Sequence, residues 1–409
     1  MPDTFEVDIE GIAHGGSGTA RHGKRTVRVP YTIPGERVLV RPTRTDQQGQ
    51  LAAGVRLLDA SADRVYPRCQ HFGPGKCGRC QWQHIDYAAQ LLLKQDLLAE
   101  TLETLGGITD DVVQPVVPAP EQWGYNTHMT FTPVAGGLGL PSTDERKFTP
   151  IEICHVLHPD LLALYQSLDL EMLPDLKRLK LQIGSDGARM MVLFMNSEDA
   201  PELEMDIDAS INLLLPDNEP VNLLGDSHTR YRIHDRTFRV TAGSYFRANA
   251  RQVPALVDGV LRLLAPQPDD YVLDLYAGVG VFGAFLARHA NVVTGVESYP
   301  PAATDAETNL ADLDNVDVIE GTVENVLAGL DGEYDAAVVD PSAMLSDEAL
   351  DLLEDIGVRR LAYVSGDMIA LARDSKRLQN HGYRLHIVQP YDLAPQTFYL
   401  DSIALFTRI

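Results

Sequence analysis

The sequence predicts an α/β protein whose C-terminal part is a doubly wound parallel sheet, preceded by a small β-barrel and a central α+β section. Three observations carry this. From residue 241 onward, apolar β-branched runs alternate with helical stretches. Residues 1–58 hold short strand-like runs broken by glycine. Between them, three of the four cysteines fall within twelve residues, CQHFGPGKCGRC, at 69–80. A length of 409 residues suits two or three cores better than one.

In the first section the runs FEVDIEGIA, GGSGTARHGKRTVRVP, ERVLVRPTR and LAAGVRLLDA have the length and spacing of strands in a small barrel. The stretch HGKRTVRV gathers Arg21, Lys24, Arg25 and Arg28 nearby, which reads equally as a solvated strand and turn or as an RNA-facing strip. The second section, 59–240, opens with the cysteines. It continues into a helix over 88–107, whose leucines at 91, 92, 98, 102 and 105 form a core stripe and whose stop is Gly106-Gly107. That helix is expected to pack on the C-terminal domain. In the third section, 241–409, the strands are YVLDLYAG, NVVTGVES, VDVIEGT, YDAAVVDP, RLAYVSGD, YRLHIVQP and SIALFTRI.

The chain carries a net charge of −24, which argues against an indiscriminate binder of polyanions. The charge is uneven, +1 over residues 1–60 and −25 over the rest, so a local nucleic-acid site remains compatible with it. No apolar run approaches the roughly 20 residues of a membrane span, and the start, MPDTFEVDIE, lacks the features of a signal peptide. A cytoplasmic location is expected. Clustered thiols in a reducing compartment point to metal or chemistry before disulfides.

The run VLDLYAGVGVFG, 272–283, ends a strand in a glycine turn that opens a helix. Asp274 lies in the strand, Tyr276 at its end, and Gly278 and Gly280 permit close approach of a ligand. Glu297, 23 residues on, ends the next strand where a carboxylate can take both ribose hydroxyls of a nucleoside. Thr322, after the third strand, could reach an adenine edge. The glycines do not match a pyrophosphate fingerprint, and the set fits S-adenosylmethionine better than a dinucleotide. The bland alternative is a glycine loop that serves packing alone.

In their order, these pieces resemble the bacterial RNA uracil-C5 methyltransferases that carry an iron–sulfur cluster and act on 23S ribosomal RNA or transfer RNA. The resemblance spans nearly the whole chain, through AHGGSGTAR, RVYPRCQHFGPGKCGRCQWQHIDYAAQLLLKQ, GSYFRAN, VLDLYAGVGVFG, VVDPS, YVSGDMIALARDS and YDLAPQTFYLDS. It implies an OB-like TRAM barrel at 1–58, a central cluster domain at 59–240 and a Rossmann-like class I methyltransferase domain at 241–409. It also implies a monomer that binds RNA, not DNA and not a membrane. Cys69, Cys77, Cys80 and Cys154 would then ligate a 4Fe-4S cluster. Spacing by itself leaves zinc equally open, and the first gap is C-x7-C where the family has C-x5-C.

Family chemistry uses a cysteine thiolate that adds to C6 of uracil, making C5 nucleophilic, and a carboxylate base that later removes the C5 proton. The matching stretch here is Ser365-Gly366-Asp367-Met368, so glycine stands at the nucleophile's place, and the cluster would claim all four thiols. Arg247 replaces the family glutamine near the cofactor. Asp340-Pro341-Ser342-Ala343 lacks the family arginine. Tyr399-Leu400-Asp401 supplies a shorter carboxylate than the family's glutamate. Arg247, Asp340 and Asp401 are therefore candidate site residues, the last as a possible base, with Asp367 or Asp340 as alternatives. Three functions follow: uracil-C5 methylation, which lacks its nucleophile; methyl transfer to an RNA nitrogen or oxygen that needs none; or RNA binding without turnover.

Overall fold

The computed structural model describes residues 4–46, 49–135, 137–144, 147–168, 175–196, 207–330 and 332–408. The first strands are β1 (Phe5–Asp8), β2 (Gly11–Ile12), β3 (Gly18–His22), β4 (Arg25–Val29), β5 (Arg37–Asp46) and β6 (Gly49–Asp59). They form one sheet in the order β1-β5-β6-β4-β3-β2, around Val7, Val27, Val29, Val38, Val40 and Ala52. Much of the basic character here is already matched by carboxylates. Arg28 pairs with Asp46, Arg37 with Asp8 at 2.9 Å and Arg21 with Glu10 at 3.9 Å. The buried Trp82 ties the next section to this sheet, its indole N–H donating to the Gly16 carbonyl at 2.9 Å.

Helix α1 (Tyr87–Thr101) starts where the Asp86 carboxylate accepts the Ala88 N–H, then widens into a π turn over Leu102–Gly106 and stops at Gly107, φ 69°. Leu98 and Leu102 are buried, but Leu92 and Leu105 are exposed, which corrects the expectation of a leucine stripe buried throughout. The widening shifts the register of the last turn, and positions 91 and 92 cannot both face one partner.

The central sheet follows the order β13-β12-β11-β10-β7-β8-β9. Its strands are β7 (His128–Val134), β8 (Gly137–Pro141), β9 (Phe148–Pro150), β10 (Leu176–Ile183), β11 (Arg189–Met195), β12 (Ser210–Leu214) and β13 (Pro220–Leu224). Helix α2 (Pro159–Ser167) covers one face, packing Leu161 and Leu164 with Met129, Phe131, Leu179, Leu181, Met191 and Leu193. Alternation along the strands sends His128, Thr130, Arg178 and Lys180 to the opposite face. A hairpin, β14 (His228–Ile233) and β15 (Arg236–Thr241), leads into the C-terminal part.

There the elements are α3 (Val253–Leu264), β16 (Tyr271–Leu275), α4 (Val281–Leu286), β17 (Val292–Glu297), α5 (Pro300–Leu310), β18 (Val316–Glu320), α6 (Val323–Leu327), β19 (Ala336–Val339), α7 (Asp347–Asp355), β20 (Arg360–Ser365), α8 (Met368–Asn380), β21 (Tyr383–Tyr391) and β22 (Asp401–Arg408). The seven strands run β18-β17-β16-β19-β20-β22-β21. β16 to β20 are parallel, whereas β22 lies antiparallel between β20 and β21, so the expectation of an all-parallel sheet needs correcting. No helix crosses over between β21 and β22, and only a crossover could return the chain in the parallel sense. The π turn that ends at Gly106 lies on this domain, since a Cβ at Gly106 would stand 2.9 Å from the Ala372 carbonyl of α8. Among the described residues no helix is long and apolar enough to cross a membrane.

Candidate functional site

The strand order reverses between β16 and β19, and a crevice opens at the C-terminal ends of such strands. Here it is a cavity of about 470 Å³ lined by Tyr245, Arg247, Tyr276, Gly278, Glu297, Asp340, Gly366, Asp367 and Asp401 among others. The turn after β16 takes Tyr276 to φ 61° and Gly280 to φ 83°. A side chain at Gly280 would also run into Leu310, 2.8 Å from an added Cβ, so this glycine lets α5 close on the turn. Asp274 lies beneath the turn, its Oδ2 accepting the Gly283 N–H at 2.7 Å while Oδ1 is buried without a partner. Burial pushes its carboxyl up to about 7. Glu297 accepts the Gly278 N–H at 2.8 Å on one oxygen and the Tyr299 N–H at 2.7 Å on the other, which fixes its carboxylate at the cavity wall. Thr322, by contrast, caps α6 by accepting the Asn325 N–H and does not line the cavity.

At the far end, β19 delivers Asp340, β20 delivers Gly366 and β22 begins with Asp401. The antiparallel register Ser365↔Ser402 sets Asp401 beside Gly366. A Cβ on Gly366 would have the Asp401 carboxylate as its nearest neighbour, at 3.5 to 3.9 Å. Arg247 spans the two acids, with both terminal nitrogens donating to Asp340 at 2.8 Å and Nε donating to Asp401 Oδ1 at 3.2 Å. Burial works against the guanidinium charge, yet the two carboxylates outweigh it and push Arg247 upward. Burial raises Asp401, and Arg247 opposes that rise. Asp367 caps α8, its Oδ1 accepting the Ile369 and Ala370 N–H groups, so it is the least free of the candidate bases.

Tyr245, Arg247 and Asp401 also wall a second cavity of about 230 Å³, reached from the central section past Arg79, Tyr125 and Asn126. Its lining includes Asn249, whose Nδ2 donates to the Leu393 carbonyl at 3.1 Å and whose Oδ1 is buried with no partner. Tyr245 and Tyr399 stand at this cavity while 71% and 50% exposed. The sequence reading missed Tyr245, Asn249 and Arg79 as site residues. The run Tyr245-Phe246-Arg247-Ala248-Asn249 contained the signal for two of them.

Cys69, Cys77, Cys80 and Cys154 come together around one small cavity of about 20 Å³, walled by Leu140, Ile151, Ile153 and Val156. Burial pushes the Cys80 thiol up to about 12 and Cys154 up to about 11. Among the described residues no group of three or more His, Cys, Asp or Glu is arranged to hold a single metal ion.

Residues 5–62 match the family model of the TRAM domain of tRNA (uracil(54)-C(5))-methyltransferase. A Streptomyces coelicolor protein named an uncharacterized RNA methyltransferase is 33% identical over 98% of this chain and 92% of its own length. The 23S rRNA (uracil(1939)-C(5))-methyltransferase of Alkalilimnicola ehrlichii is 30% identical over 99% of this chain and 97% of its own. This chain belongs to the RNA uracil-C5 methyltransferase family. The fold agrees with that of Pyrococcus abyssi tRNA (uracil-54, C5)-methyltransferase, solved with S-adenosyl-L-homocysteine, at a TM-score of 0.77 and 22% identity over 98% of this chain and all of that one. In this chain the cavity ends in an arginine held by two aspartates, with Gly366 beside Asp401.

Proposed function

We propose that the chain transfers a methyl group from S-adenosylmethionine to a nitrogen or oxygen of RNA, directly and without a covalent enzyme–RNA intermediate. Gly366 carries the argument: beside Asp401 there is space and a carboxylate, but no thiol to add to a pyrimidine. The larger cavity would take the cofactor, with Glu297 toward the ribose and the glycine turn under the methionine part. The smaller cavity has room for a nucleobase, with the free Asn249 Oδ1 as an acceptor inside it. An RNA nitrogen or oxygen lone pair attacks the sulfonium methyl carbon, the carbon–sulfur bond breaks toward sulfur, and Asp401 takes the proton that the acceptor atom loses. Arg247 orients Asp401 through Oδ1 alone.

The sections 1–58, 59–240 and 241–409 would divide the work into RNA barrel, cluster domain and transferase. The four thiols fit a 4Fe-4S cluster, being soft donors gathered in an apolar shell. Zinc is less supported, because it needs four sulfurs about 2.3 Å from one point. The cluster would serve as a staple between the 69–80 loop and Cys154. Protein prepared without oxygen is expected to be brown with about four irons per chain. Bound zinc with no visible absorbance ends that assignment.

The deciding experiment is transfer of labelled methyl from S-adenosylmethionine to RNA from a strain lacking the gene, followed by nucleoside mass spectrometry. Label in an N- or O-methylated nucleoside supports the proposal, and label in 5-methyluridine overturns it. Binding of cofactor and RNA with no label selects the second reading, a protein that holds RNA without turnover. The ion pair of Arg247 with Asp340 across the cavity favours that reading.

A further inference from the structure

Lys180 lies on β10, on the face turned away from α2, opposite Thr130 of β7 and Val192 of β11. Burial alone acts on its charge, with no carboxylate among the described residues to compensate, and pulls it down to about 8. Its described neighbours bring no negative charge either. His128, paired with Gln182 of the same strand, is held neutral by burial and by the positive fields of Lys180 and Arg79. Two residues along β10, Arg178 lies 4.4 Å over the Phe194 ring and makes no ion pair among the described residues. Within this row Arg178 is exposed and His128 is neutral, so the cost to the fold falls on Lys180, a half-buried cation with no carboxylate beside it among the described residues. In the barrel three arginines, Arg21, Arg28 and Arg37, are answered by Glu10, Asp46 and Asp8. The row leads somewhere: Arg79 lines the smaller cavity, where the exposed rings of Tyr245 and Tyr399 stand.

We infer that the face bearing Arg178, Lys180, His128 and Arg79 is a seat for the phosphodiester backbone of single-stranded RNA, leading the target nucleotide into the smaller cavity. Side chains two apart on a strand are spaced about 7 Å, a reach that lets Arg178 and Lys180 meet neighbouring phosphates. The two tyrosines offer faces on which unpaired bases stack. A bound phosphate supplies a counter-charge, so the Lys180 cation that costs the free protein is relieved in the complex. This rests on RNA being the substrate. It assigns the approach to the central sheet, whereas sequence had pointed to the barrel.

The test measures binding of a short fluorescein-labelled single-stranded RNA across a salt series, for the parent protein and for Lys180→Met, Arg178→Gln and the control Arg359→Gln. Arg359 is an exposed residue paired with Glu333. Lys180→Met and Arg178→Gln are each expected to weaken binding roughly three- to tenfold and to lower the salt slope by about 0.7, the loss of one phosphate contact. Affinity for S-adenosylmethionine and the control should stay at parent values. Lys180→Met should also melt higher than the parent, because a charge without a partner has been removed; a lysine with a structural role would give the reverse. Parent-like affinity and salt slope in both variants overturn the inference while leaving the methyltransferase reading intact. A parent that binds no RNA overturns both.

Discussion

At position 366, on the proposed reading, one side chain separates covalent from direct chemistry. An added Cβ there meets the Asp401 carboxylate first, at ordinary van der Waals distance, so Gly366→Cys should fold with little loss of stability. With RNA containing 5-fluorouridine that variant is expected to form a covalent adduct, seen as a shifted band in a denaturing gel, which the parent does not form. Arg247 is the opposite case. Replacing it with Met leaves Asp340 and Asp401 buried without their shared cation, at a cost of about 3–5 kcal/mol in a denaturant melt. Asp274 gives a pH signature. Its folded value, about 7, stands above the ordinary 3.8, so the native state binds the extra proton between those limits, and this contribution to stability falls as pH rises from about 4 to about 7. Asp274→Asn should flatten that part of the stability–pH curve of the ligand-free protein.

Among the elements, those of the C-terminal sheet were the most legible. Whereas β18 and β21, at the edges, are partly exposed, the inner strands β16, β17, β19, β20 and β22 were plain because they are largely buried and read as nearly unbroken apolar runs. The reversal of β22 was not, because direction depends on how the chain returns and the nine residues 392–400 give no periodic signal. Helix α1 was legible as a helix, but its leucines misled about which face is covered. The residue that anchors it is polar: Lys94, fully buried, donates to Asp392 at 2.6 Å and to the Ala394 carbonyl at 3.1 Å. Nothing local marks an interior lysine, since its partner lies 298 residues away. Lys94→Met should cost about 3–5 kcal/mol, and adding Asp392→Leu should recover much of it, because the penalty lies in the acid left alone. The bases on the central sheet were hidden for the same reason. His128 and Lys180 become neighbours only when β7 pairs with β10.

For the molecule as a whole, composition set bounds and topology supplied the site. Glycine turn, acidic strand end and cysteine loop could be read in order along the chain, yet the Arg247 bridge joins residues 93 and 154 positions apart and emerges only from the folded sheet. The strongly acidic surface sets a further expectation. RNA should bind through a small matched region against a general repulsion, so affinity should fall only gently as salt rises, because screening of the repulsion offsets part of the lost phosphate contacts, while S-adenosylmethionine affinity barely moves. Changing Glu297 to Ala should do the reverse in calorimetry, weakening the cofactor and sparing RNA.

Tyr245, Arg247 and Asp401 belong to two cavities at once and form the partition between them. Whatever settles against one surface of that partition alters the room and the field on the other. Free-energy bookkeeping then requires symmetry: the factor by which cofactor tightens or loosens RNA must equal the factor by which RNA alters cofactor. Spent cofactor and modified strand would accordingly share one coupling, carried by three side chains.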